Sequence, residues 1–251
     1  MHVHFHPPLS PTAFFRQRRP LLVALGVVFA LLAVAAIVAS GQLLLVWDEP
    51  IQRSVESNRT GVLDDIFLRL SFLGSTVFVL TAGTLATLLT WRRCPAVALT
   101  ILVAMLSRPL IEFTLKATVD RARPDFDRLV DGNGPSFPSG HPMAAVALWG
   151  LLPMIVALYT QRRAIWWASV VVAFTLIAGI AASRVYLGVH WFSDVTAGLV
   201  VGAFFLLGVE TLFHQAHGRF GCRLSVHARE RQPSDTPVRA RQPALRYGTG
   251  H

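Results

Sequence analysis

Three short segments carry residue types and spacings suited to phosphate chemistry. The first is Lys116-Ala-Thr-Val-Asp-Arg-Ala-Arg123-Pro124. The second is Pro138-Ser139-Gly140-His141-Pro142. The third runs from Ser183-Arg184 through His190 to Asp194. Lys116, Arg123 and Arg184 form a cation set not matched by carboxylate partners, which calls for an anion. Forked arginine donors suit phosphate oxygens. Ser139 and Gly140 precede an apolar run, with Pro142 placed for the first helical turn. Free N–H groups and the positive dipole end make such a helix start an anion site, and Gly140 lets the backbone approach a ligand. His190 and Asp194 are one helical turn apart and share a face. A carboxylate on one imidazole nitrogen fixes the tautomer and frees the other nitrogen as nucleophile or base. His141 is a second histidine on a different segment. Two histidines beside an anion cradle fit phosphoryl transfer through a covalent intermediate, in which one attacks phosphorus and the other protonates the leaving oxygen. Each segment alone reads equally as a helix cap, an interfacial histidine or a snorkelling arginine. Their shared face makes the case.

The elements that must position these residues are apolar runs. A helix crossing a bilayer needs about 20 mostly apolar residues. Six stretches qualify: Leu21–Val46, Leu70–Trp91, Pro95–Leu115, Met143–Tyr159, Ile165–Ala182 and Val189–Phe213. The first is too long for a secretion-signal core and no convincing cleavage site follows, so it is expected to remain as a helix. The expectation is an all-α, polytopic six-helix bundle over 21–214. A short tail, 1–20, precedes it and a basic, Arg/Pro/Gln-rich tail, 215–251, follows, with a composition that predicts disorder.

Of the 251 residues, 53% are hydrophobic and only 15% charged, and mean hydropathy is +0.51, which excludes an ordinary soluble domain. The net charge of +9 does not mark a nucleic-acid binder, because the arginines punctuate apolar runs instead of lining one polar face. They report topology. The two tails and the turns at Arg92-Arg93 and Arg162-Arg163 hold 14 arginines against Glu230 and Asp235. By the positive-inside rule this side is cytoplasmic. Segments 47–69, 116–142 and 183–192, with all three polar motifs, then face outward across a plasma membrane. Contact of the basic C-terminal tail with anionic lipid is a further expectation, beside plain topology and solvation. Cys94 and Cys222 are too few for a disulfide framework. Lys116 is the one lysine among 23 basic residues.

The three motifs together resemble the type 2 phosphatidic acid phosphatase family, membrane lipid phosphatases that share a site with vanadium haloperoxidases and glucose-6-phosphatase. The family pattern K-x6-RP, PSGH, SR-x5-H-x3-D is intact over 116–194. The resemblance implies His190 as nucleophile forming a phosphohistidine, Asp194 as its orienting carboxylate, and His141 as the general acid that then helps activate water. It implies that Lys116, Arg123, Ser139, Gly140 through its N–H, and Arg184 hold the phosphoryl oxygens. No metal and no other cofactor is implied, and the partners are membrane lipids and a lipid phosphate substrate. Candidates are phosphatidic acid, diacylglycerol pyrophosphate, phosphatidylglycerol phosphate and undecaprenyl diphosphate.

Other residues carry expectations of their own. Arg108, Glu112 and Lys116 share a helix face, so Glu112 is expected to neutralise Arg108 and orient Lys116. Gly198 and Gly202 form a G-x-x-x-G suited to close helix packing. Residues 48–65 are expected to hold a short interfacial helix using Ile51 and Val55, covering the rim of the site. Trp191 and Phe192 read as flanks of a lipid path or as interfacial anchors. Two rival functions remain at this stage. A haloperoxidase-like enzyme has no need of six spans. A transporter or flippase for phosphate headgroups has no need of a His–Asp pair.

Overall fold

The computed structural model describes residues 45–160 and 162–217. Among the described residues every regular element is a helix and there is no strand. In chain order the helices are α1 (Leu45–Ser57), α2 (Gly61–Phe72), α3 (Thr76–Trp91), α4 (Pro95–Val119), α5 (Gly140–Trp149), α6 (Leu152–Tyr159), α7 (Arg163–Tyr186) and α8 (Phe192–His217). Four stretches are long and apolar enough to cross a membrane: Pro95–Val119, Gly140–Ala157, Arg163–Tyr186 and Phe192–Glu210. α2 and α3 make a fifth if taken together across their 47° bend. The expected sixth, Leu21–Val46, lies outside the described residues except for its last two, which belong to α1.

The structure corrects the expected boundaries at two places. The run Leu70–Trp91 is not one straight helix. It breaks at Leu73-Gly74-Ser75, where Ser75 caps α3 by accepting a hydrogen bond from Phe78 N–H. Gly74 is required there, because a Cβ would lie 2.4 Å from Ile180 Cγ2. The run Met143–Tyr159 divides into α5 and α6, and the helix begins earlier, at Gly140.

The core forms where α4 packs between α3, α5 and α8. Val97, Ile101, Ala104 and Met105 of α4 meet Ala144, Ala147 and Leu148 of α5, Val79 of α3 and Val209 of α8, all buried. The opposite side of α4 exposes Leu106, Leu110 and Phe113, and α7 exposes Phe174. Such apolar faces on helices of spanning length suit lipid. Gly198 and Gly202 bring α8 against α5, as their spacing predicts. Added Cβ atoms would lie 2.5 Å from Ser139 O and 2.9 Å from Val146 Cβ. α1 is the short helix expected after the first apolar run, and Ile51 and Val55 pack on Ala181, Val185 and Val195.

The polar segments gather at one end of this bundle. Arg59 donates to Tyr186 O and Asp127 O, and Leu129 N–H donates to Leu187 O. Ser136 N–H donates to Arg121 O, and Ser139 N–H to Asp194 O. The loops are thus pinned to one another by backbone groups that would otherwise be unpaired.

Candidate active site

The start of α5 is the floor of the site. The Phe137–Pro138 peptide is cis and leads into Ser139, the residue before the helix. Ser139 makes no side-chain cap bond, and its Oγ is buried without a partner among the described residues. A cap serine normally accepts from the first-turn amides, so this hydroxyl and those amides are left for something else. Unpaired buried polar atoms are expensive to keep, and Arg184 Nε is another. Arg184 lies at the end of α7, buried, with Nη1 donating to Ser71 Oγ of α2. Burial excludes the snorkelling alternative for this residue.

His190 follows α7 in a tight turn at Gly188, whose φ of +77° is a conformation glycine adopts without strain. Its Nε2 faces Arg123 Nη1 at 3.2 Å. A guanidinium only donates, so Nε2 is the unprotonated nitrogen and Nδ1 carries the hydrogen. Burial pushes the imidazole down to about 4, with Asp194 opposing. The ring is therefore neutral at ordinary pH. Arg123 is fixed by Val189 O at 2.7 Å, Asn133 O at 2.8 Å and Gly134 O at 2.9 Å. Burial also holds its guanidinium below the ordinary arginine value, against the pull of Asp194.

Asp194 does not bond His190 as directly as its spacing suggests. Its Oδ2 is 3.7 Å from Nδ1, beyond hydrogen-bond length. Ser136 Oγ stands between them, 3.4 Å from Nδ1 and bonded to Asp194 Oδ2. The fully buried carboxylate is also held by Trp191 N–H at 2.9 Å and by Arg121 Nη1 at 2.7 Å. Arg121 reaches this position because Asp120, in the left-handed conformation, ends α4 just after Lys116.

Lys116 departs from the expected set of unpartnered cations. Its Nζ lies 2.9 Å from Glu112 Oε1, while Glu112 Oε2 accepts from Arg108 Nη1 at 2.8 Å. Arg108 Nη1 also donates to Gly140 O at 2.9 Å. Glu112 thus bridges both cations, as their shared face predicts, and its carboxylate lies where a Cβ on Gly140 would have to go, 2.1 Å from Oε1. Gly140 therefore makes room for Glu112, in addition to the ligand approach expected of it.

All eight expected site residues fall at this end of the bundle, on α4, the 120–139 connection, α5, α7, the turn before α8 and the first turn of α8. His141 is within reach of Gly74 across the α2–α3 break, where a Cβ would come 3.4 Å from His141 Cδ2. Trp191 is not a membrane anchor. It is buried, donates from Nε1 to Ala122 O at 3.0 Å, and packs edge-on against Phe126. Phe192 remains half-exposed. The sequence reading missed Arg121, Ser136, Asp48 and Ser71. Arg121 and Asp48 carry a signal, since charges bordering apolar runs need partners; Ser136 and Ser71 carry none.

An apolar helical bundle with a histidine, a carboxylate and converging cations at one end places the chain among membrane-embedded phosphatases. It belongs to the PAP2 superfamily, which it matches over residues 97–218. It is similar to phosphatidylglycerophosphatase B of Bacillus subtilis (strain 168), with 31% identity over 173 residues, 64% of this chain and 81% of the relative. The crystal structure of the PAP2 type phosphatidylglycerolphosphate phosphatase from Bacillus subtilis is similar at a TM-score of 0.67 and 26% identity, covering 77% of this chain and 96% of that one. Aquifex aeolicus LpxE shares the fold at a TM-score of 0.51 and 20% identity, covering 65% of this chain and 94% of that one.

Proposed function

We propose that this membrane phosphatase hydrolyses a lipid phosphate through a phosphohistidine, with phosphatidylglycerol phosphate as the first substrate to test. The observation that carries the reading is the contact of His190 Nε2 with Arg123, from which the tautomer follows. Nε2 is unprotonated and held 3.2 Å from Arg123 Nη1, a donor suited to a phosphoryl oxygen. A nitrogen lone pair beside an anion-binding guanidinium becomes a nucleophile when that guanidinium turns to a phosphoryl oxygen and releases it.

The steps follow from the groups in place. Arg123, Arg184, Lys116, the Ser139 hydroxyl and the N–H of Gly140 bind the phosphoryl oxygens. His190 Nε2 attacks phosphorus as the P–O bond to the lipid alcohol breaks. His141, protonated once the bound phosphate dianion offsets the cations around it, gives its proton to that leaving oxygen. Asp194 stabilises the ring as positive charge develops on it. Water, deprotonated by His141, then attacks phosphorus as the P–N bond breaks, releasing phosphate and restoring both histidines. Fixed cations and backbone dipoles supply the charge stabilisation that a divalent ion provides elsewhere. The similarity to phosphatidylglycerophosphatase B favours phosphatidylglycerol phosphate over the other candidates, undecaprenyl diphosphate among them.

The test is phosphate release from a panel of monophosphate and diphosphate lipids by purified protein in detergent, with chelator present. The expected result is turnover insensitive to chelator, highest on phosphatidylglycerol phosphate, with His190→Ala lowered by at least about 10³-fold. Normal turnover by His190→Ala rules out the phosphohistidine, and loss of activity with chelator rules out the metal-free route.

A further inference from the structure

The carboxylate beside His190 is bound by a guanidinium, and that should weaken it. Arg121 Nη1 is 2.7 Å from Asp194 Oδ1, with both side chains buried. A full positive charge in such contact cancels most of the field that Asp194 exerts on the imidazole. The same guanidinium has a second partner, however. Arg121 Nη2 lies 2.8 Å from Asp48 Oδ2, and Asp48 is buried on α1. Asp48 also accepts from Ser193 N–H at 2.9 Å and from Ser193 Oγ, one residue before Asp194. Two carboxylates and one guanidinium leave a net charge of one negative.

That balance matters because of what else faces His190. Arg123 comes from the 120–139 connection and Arg184 from α7, and both oppose a positive imidazole; His141 faces the ring from α5. Asp194 on α8 is the group that favours one. If Arg121 were unbalanced, every net charge around the ring would be positive, and attack by Nε2 places further positive charge on that ring.

We propose that Asp48 is a positioning residue for the nucleophile: it neutralises Arg121, so that Asp194 is held rigidly by a guanidinium yet still presents a full negative charge to His190. The inference rests on His190 being the nucleophile. It gives α1 a catalytic consequence, since this helix lies outside all three sequence motifs.

The test compares Asp48→Asn with Arg121→Gln, using kinetics and nitrogen-15 spectra of histidine-labelled protein in micelles. Asp48→Asn keeps the shape and leaves Arg121 unbalanced. Its kcat is expected to fall about tenfold with KM little changed, and the protonated fraction of His190 at pH 4 to fall. Arg121→Gln leaves two carboxylates and should raise the His190 midpoint by about one pH unit. Opposite movements support the proposal. A merely structural role lowers melting temperature and activity in both variants without moving the His190 midpoint, and that result overturns it. If Asp48→Asn does not fold, Asp48→Ser is read in its place: a downward movement of the His190 midpoint supports the proposal and an unmoved midpoint overturns it. His190→Ala separates the two levels. Turnover by that variant removes the underlying mechanism, whereas an inactive His190→Ala beside an unmoved His190 in Asp48→Asn removes only the role of Asp48.

Discussion

Glu112 is the residue whose placement most constrains the phosphate site. It binds Lys116 with one oxygen and Arg108 with the other, at 2.9 and 2.8 Å. An ammonium on a four-carbon stem is otherwise free to swing, so this contact fixes where Lys116 waits. Arg108 is the more buried of the two cations, at 6% exposure of its side chain against 22% for Lys116. Removing the shared negative charge therefore has two separable effects. Glu112→Gln leaves Arg108 as a buried cation whose charge is unmatched, which is expected to destabilise the protein by about 1–3 kcal/mol. It also releases Lys116, which is expected to lower kcat about tenfold. Thermal melting in detergent reads the first effect and phosphate release at saturating substrate the second. Unchanged melting and unchanged turnover together would show that the carboxylate neither neutralises nor orients.

At the scale of elements, the α5–α8 contact decides whether the floor of the site and the His190–Asp194 pair share one frame. Gly198 lies against Ser139 O, so a methyl group there meets backbone that is itself tied to Asp194 O through Ser139 N–H. Neither partner can yield without moving the other, and overpacking of this kind costs about 1–3 kcal/mol. Gly198→Ala is expected to lower both melting temperature and turnover. Gly208→Ala, with nothing within 4 Å of the new methyl, is the control and should match the parent. This contact was legible in the sequence, because small residues one turn apart signal close helix approach. The break between α2 and α3 was not, although Gly74-Ser75 is a breaker pair, because the apolar residues on both sides dominate any window that spans it. The cation–carboxylate chain was less legible still. Asp48 and Arg121 are 73 residues apart, as are Arg121 and Asp194, so each reads as an isolated charge until the helices bring them together. The three motifs carry the groups proposed to react. Of the groups that hold them, Arg121 occupies a variable position inside the first motif, and Asp48, Glu112 and Ser136 lie before or between the motifs.

At the scale of the whole molecule, the bundle has two unlike ends. α4 runs 25 residues, about 37 Å, from the turn bearing Arg92 and Arg93 to the site at Lys116. α7 runs from Arg162 and Arg163 to Arg184, so both arginine turns lie at the end away from the site. Excess arginine in short loops marks the cytoplasmic side, so the site is expected to open outward. That orientation selects the substrate pool, because a phosphate headgroup reaches the site only from the leaflet that the site faces. Single cysteines at Asp131 and Arg162, both exposed, report the two ends. In intact cells a membrane-impermeant maleimide should label Asp131→Cys above the level of the parent protein and leave Arg162→Cys at that level until the cells are opened. Labelling of Arg162→Cys with Asp131→Cys protected would reverse the orientation. The enzyme would then act on lipid phosphates of the inner leaflet, where headgroups are made, and the arginine turns would have to be explained by contacts of their own.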